Sequence, residues 1–152
     1  MKFICNKDTI LSVVQTTSKA AAGKSSIQAL EGILMELEGN TLTVTGYDLD
    51  IGIKTSIEVE GIESGNIVIS AKMAVDIIRK MPSGSITFEC SGNNLAEITN
   101  NMTSFSVSCS SADDYPNVPQ VNPDTSFTMP QKLLKSMIIQ TKFAVAVVDS
   151  KP

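Results

Sequence analysis

The stretch from Ile69 to Pro82, ISAKMAVDIIRKMP, constrains the chain most. A short apolar run ends at Ser70 and a helical period begins at once. Met73, Ala74, Ile77, Ile78 and Met81 repeat at the spacing of one helix face. Lys72, Asp76, Arg79 and Lys80 fall on the opposite side. Ser70 suits an N-cap and Pro82 stops the helix. A strand therefore feeds a helix that buries one face and turns a mainly basic face outward. Taken alone, such a face is a solvated surface. Its meaning depends on whether it recurs.

It does recur. Lys2 to Cys5 reads as a strand, followed by a helix that Asn6 or Asp8 caps and that ends near Ala20. Ile10, Leu11 and Val14 are expected inward, and Lys7, Ser12, Gln15, Thr16 and Lys19 outward. A loop then carries Gly23 and Lys24. Leu30 to Leu37 reads as a strand, turned by Glu38-Gly39-Asn40 into a second one that Gly46 breaks. Leu49 to Val59 forms a third, and Gly61 to Gly65 a turn. After the helix at 71–81 come strands Ile86–Cys90, Leu95–Thr99 and Met102–Cys109. In the last, Thr103, Phe105, Val107 and Cys109 share one face. Strand, helix and three strands thus occur twice. This predicts an α+β fold with two helices on one side of antiparallel sheets.

Ser110 to Thr125 holds Pro116, Pro119 and Pro123 without periodicity and reads as a linker. Then the opening pattern restarts. Ser126 to Met129 reads as a short strand, and Pro130 suits the first helical position. Leu133, Leu134, Met137, Ile138 and Thr141 form a stripe, opposite Lys132, Lys135 and Lys142. With Phe3 placed over Phe127, Ile10, Val13, Val14 and Thr17 fall on Leu134, Met137, Ile138 and Thr141. We therefore expect a first domain at 1–111, a linker at 112–125 and the start of a second copy at 126–152. A strand and a helix cannot bury a core, so the chain is expected to be a fragment of a longer protein.

Charge is segregated by element. The helical stretches 7–20, 71–81 and 130–143 hold eight basic residues against two acidic ones, and the remainder four against fourteen. The net charge is only −4, but the field is directed. A polyanion would be held against the helices alone. Most of these cations are lysines, which attract phosphate as point charges rather than fork onto base edges. The pattern fits sequence-independent contact with duplex DNA. With no Trp and 5% aromatic residues, stacking of single strands is disfavoured.

Other chemistry finds little support. The chain has no His, hence no imidazole base or ligand. Gly23-Lys24-Ser25 resembles the tail of a phosphate-binding loop, yet Ser18 stands where that motif needs its first Gly. A nucleotide-binding protein using Lys24 is one alternative, and a protein-interaction module without DNA binding is another. Asp48 and Asp50 lack a third ligand and suit a turn. No metal, cofactor or catalytic group is expected. Cys5, Cys90 and Cys109 have no metal-ligand spacing and read as buried thiols of a reducing compartment. With no apolar leader or span, a cytoplasmic protein is the default.

The opening MKF, TGYDLDI, ISAKMAVDIIRKMP, FSVS, ADDYPN and FTMPQ together resemble the bacterial DNA polymerase III beta subunit family, the sliding clamps. The resemblance extends from Met1 to the end and covers the first of three clamp-fold repeats plus the opening of the second. It implies a head-to-tail homodimeric ring around duplex DNA. The ring tethers the replicative polymerase and has no catalytic site of its own. The DNA polymerase III alpha subunit and the clamp loader are implied partners. Lys24 and Lys72 match DNA-contacting positions, with Arg79 and Lys80 on the same lining. Met73, Phe105 and Val107 match the side that meets the partner chain, although Phe105 and Val107 also suit an ordinary core. Val148 and Pro152 depart from residues that some relatives carry at DNA contacts. Lys151 alone falls at the edge of the peptide pocket.

Overall fold

A computed structural model describes residues 1–92, 94–119 and 126–145 of the chain. These fall into two compact units, Met1–Val118 and Pro119–Pro152. Val148, Lys151 and Pro152 lie outside the described residues.

In the first unit, β1 (Lys2–Asn6) leads into α1 (Lys7–Thr17), which tightens into a 3-10 turn at Ser18–Ala20. Asn6 is the cap. Its side-chain oxygen accepts from the Asp8 and Thr9 amides at 2.9 and 3.4 Å. After a 3-10 turn at Gln28–Glu31 come β2 (Gly32–Glu38), β3 (Thr41–Tyr47), β4 (Gly52–Glu58), β5 (Glu60–Glu63) and β6 (Gly65–Ser70). Then follow α2 (Ala71–Lys80), β7 (Ser85–Cys90), β8 (Leu95–Thr99) and β9 (Ser104–Ser110). The sheet order is β4-β3-β2-β6-β9-β8-β7-β1-β5, antiparallel throughout.

This order shows how the half-repeat is used. The three-strand meander β2–β4 takes β6, the first strand of the second half, onto its edge. The meander β7–β9 takes β1, the first strand of the first half. Each half completes the other's sheet, so neither can bury its apolar face alone. The two meet at a short seam, where Val68 pairs with Ser110 and Ile69 with Cys109.

Both helices pack on the same side. Ile10, Val13 and Val14 of α1 and Ala71, Ala74, Ile77 and Ile78 of α2 join one core with inward strand residues such as Phe3, Met35, Val44, Phe88 and Ile98. Phe3 and Phe88 stack with centroids 5.1 Å apart, a geometry worth about 1 kcal/mol beyond area burial. Alternate strand residues point the other way, to water.

Several expectations need correction. Gly46 does not break β3; it continues the strand, and it must be glycine because a Cβ there would overlap the Thr17 carbonyl oxygen. Gly61 lies within β5, which pairs with β1 instead of forming a turn. The strand expected from Leu30 starts at Gly32, and that expected from Leu49 starts at Gly52. Met73 leaves the apolar stripe and is 46% exposed, while Ala71 takes its place inside. Lys7 is covered, its side chain only 12% accessible. The segment from 112 is not free linker at first. Tyr115 is buried beside Leu30, Tyr47 and Val68, with Val118 packed against them.

In the second unit, Pro130 is the N-cap of α3 (Gln131–Thr141). Residues 126–129 form no strand. The stripe of Leu133, Leu134, Met137 and Ile138 stays exposed.

Candidate nucleic-acid interface

The exposed face of α2 follows from its buried one. With Ala71, Ala74, Ile77 and Ile78 fixed inward, the 3.6-residue period turns Lys72, Arg79 and Lys80 to solvent. The Ser70 hydroxyl accepts from the Met73 amide at 3.4 Å and starts the helix. Arg79 and Lys80 sit in the last turn, where the helix dipole favours cations. Their position therefore has a stability reason. Lys72 has none: it lies in the first turn, at the positive end, with no acidic residue in that turn. A cation there costs about 0.5 kcal/mol. Arg79 approaches Asp76 at 3.8 Å with both side chains about half exposed, a contact worth under about 1 kcal/mol.

Lys24 stands on an exposed loop between the two 3-10 turns. The Ala22 amide donates to the Leu30 carbonyl at 2.8 Å and closes the base of the loop. An open groove of about 430 Å3 separates the segment Ser18–Gly23 from the start of α2, with Lys72 and Asp76 on its far wall. The fold thus brings the Lys24 loop beside Lys72, although the two are 48 positions apart in sequence. Among the described residues, Lys19, Lys24, Lys72 and Lys80 form no salt bridge. Their charge is available to a ligand. The strand residues that face away from the core include Glu36, Glu38, Glu58 and Glu97. The far strand face is thus mainly acidic, with Lys54 beside Glu36 and Glu38, while the helix side is mainly basic, with Glu31 and Asp76 beside Lys72.

The three interface candidates separate. Val107 is buried in the core at 5% exposure and acts there as a packing residue. Phe105 is half-buried against the same core, and Met73 is exposed. Along β9, Ser104 to Ser108 pair with β8 on one side, but β6 reaches only Cys109 and Ser110 on the other. Sequence reading missed this free edge. The pairing of β6 with β9 has no local sequence signal, so nothing showed that the seam stops after two pairs.

The nucleotide-binding alternative is not favoured. The Ser25 amide, which would have to cradle phosphate, donates instead to the Glu31 carboxylate at 3.2 Å. The loop also joins two 3-10 turns rather than a strand and a helix. Asp48 accepts from the Asp50 and Ile51 amides at 3.0 and 2.7 Å, the turn role expected for it. Among the described residues no three His, Cys, Asp or Glu side chains gather around a possible metal. No helix among them is long and apolar enough to cross a membrane. Of the three cysteines only Cys5 is buried; Cys90 and Cys109 are partly exposed and adjacent, which their spacing did not reveal.

The fold is that of the DNA clamps. The sliding clamp of Bacillus subtilis superposes with a TM-score of 0.87 at 31% identity, over all of this chain and 42% of that one. The DNA polymerase beta subunit of Streptococcus pyogenes superposes at 0.88 with 26% identity, again over 100% and 42%. The family described as DNA polymerase III beta subunit, N-terminal domain, matches residues 1–119, and the chain belongs to it. The beta sliding clamp of Halalkalibacterium halodurans is 32% identical over 160 residues, covering all of this chain. The chain spans 42% of the length of that relative.

Proposed function

We propose that this chain forms the first domain, and the start of the second, of a DNA sliding clamp. The whole protein closes a head-to-tail ring around duplex DNA and tethers the replicative polymerase. The observation that carries this reading is the set of exposed cations on the helix side, Lys24, Lys72 and Lys80, which form no salt bridge among the described residues; Lys72 lines a groove that the Lys24 loop borders at Gly23, and Glu36, Glu58 and Glu97 stand at strand positions facing away from the core. Lys24, Lys72, Arg79 and Lys80 attract phosphates without reading bases. Solvated lysine contacts of this kind are weak and exchangeable, which a ring that must slide requires.

Met73 and Phe105, with the free edge of β9, form the side of the domain that meets a partner protomer. Val107 supports that edge from inside. The exposed stripe of α3 belongs to a second clamp domain that residues 126–152 begin. The DNA polymerase III alpha subunit and the clamp loader are the partners of the assembled ring. The protein is a processivity factor without a catalytic step.

The salt dependence of duplex binding by the full-length protein tests the DNA face. Lys24→Ala and Lys72→Ala each lower the slope of log affinity against log salt by about one, uniformly across sequences. An unchanged slope in both variants removes these residues from the interface.

A further inference from the structure

Outside the basic face, two thiols touch. The Sγ atoms of Cys90 and Cys109 are 3.2 Å apart. Both are free and partly exposed, and both open onto a cavity of about 360 Å3 bounded by Met1, Gly65 and Gly92. Cys90 ends β7 and Cys109 lies near the end of β9, on either side of β8. Between them stands Ala96, the register partner of both Cys90 and Val107. Its methyl group leaves room for longer neighbours to meet. Cys5 differs in being buried in the main core, where burial pushes its thiol up to about 12.

We infer that Cys90 and Cys109 form a redox-active dithiol, oxidised reversibly to an intramolecular disulfide by low-molecular-weight disulfides of the glutathione class. The two thiols are not equivalent. Burial and the neighbouring Cys90 sulfur hold the Cys109 thiol up at about 12, which suits Cys109 to the second, resolving step. The Cys90 thiolate attacks one sulfur of the small disulfide, forms a mixed disulfide and expels a thiolate, which takes a proton from water. Cys109 then attacks the Cys90 Sγ and gives up its own proton. That step forms the Cys90–Cys109 bond and expels the second small thiol. Two protein thiols are oxidised, and one small disulfide is reduced to two thiols.

The topology makes the bond reversible. It joins strands that are not nearest neighbours, so closure must draw the ends of β7 and β9 together over β8. The turn after Cys90 contains Gly92 in the left-handed region, at φ +52, a hinge that accepts such movement. A bridge that pulls on its backbone is readily reduced again.

The test is incubation of the chain with oxidised glutathione, followed by denaturation, alkylation and peptide mapping after cleavage at Glu97. We expect one alkylated cysteine, Cys5, and a linked pair of peptides holding Cys90 and Cys109 that separates on treatment with dithiothreitol. Cys109→Ser accumulates a stable glutathione adduct on Cys90, and Cys90→Ser leaves Cys109 unmodified. Alkylation of all three cysteines in the wild-type chain overturns the inference, as do separate glutathione adducts without a cross-link. If either variant fails to fold, the wild-type map decides alone.

Discussion

The Tyr115 hydroxyl donates to the Thr45 carbonyl at 3.3 Å, a bond between residues 70 positions apart. It docks the segment after β9 onto β3 and gives the first unit its C-terminal boundary. Tyr115→Phe removes the bond but keeps the ring, and should cost about 1 kcal/mol in chemical denaturation. Tyr115→Ala also empties the small core around Leu30, Tyr47 and Val68, and should cost about 3 kcal/mol. Burial pushes the Tyr115 phenol up from 10.0 to about 12. A raised folded value means that the stabilisation is complete below pH 10 and lost as pH rises through 12. Tyr115→Phe should flatten the alkaline limb of a stability–pH profile; an unchanged limb would show that another group controls it.

Gly46 makes a different demand. The C-terminus of α1 lies so close to β3 that a side chain at 46 would meet the Thr17 backbone. Thr17 is fully buried, its hydroxyl tied to the Val13 carbonyl at 3.0 Å, so it cannot yield. Gly46→Ala should therefore destabilise the domain by about 2 kcal/mol or more through overpacking. Gly23→Ala, with nothing within 4 Å of its added Cβ, should be nearly neutral. Thermal melts of the two variants compare them directly, and equal melting temperatures would refute the close approach.

Lys2 and Glu89 are register partners on β1 and β7, with Nζ and carboxylate 2.8 Å apart. The hydrogen bond from Lys2, then its charge, lowers the Glu89 carboxyl below its ordinary value. A lowered folded value gives stabilisation that is present above the unfolded pKa and lost as pH falls through the folded one. An NMR titration should find the Glu89 midpoint below that of a free glutamate. Lys2→Met should return it upward. Salt should weaken the effect, since the pair is exposed.

How far the fold could be read in advance depended on whether one element sufficed to show it. The bounds of β8 and the Ser70 cap of α2 were legible, since turn residues and helical period are local signals. The half-repeat was legible, but the exchange of β1 and β6 between halves was not, because pairing order has no local signature. Gly46 looked like a strand breaker, because its real constraint is a helix carbonyl from another element. Tyr115 was hidden among prolines that suggested a linker. Met73 sat one position from the true stripe, and 3.6-residue phase alone does not decide between Met73 and Ala71. For the candidate site, the basic helix faces were legible as a sum over elements. The approach of the Lys24 loop to Lys72 and the covering of Lys7 required the packed structure.

We propose that duplex DNA is held on the helix side of the first unit. The most direct measurement is an NMR titration of the isotopically labelled chain with a short duplex at low salt. Amide shift changes are expected at Lys24, Lys72, Arg79 and Lys80 and should shrink steeply as salt is added, with Glu36, Glu58 and Glu97 on the opposite face unmoved. Shifts concentrated on that strand face, or shifts at the lysines that ignore salt, would contradict it.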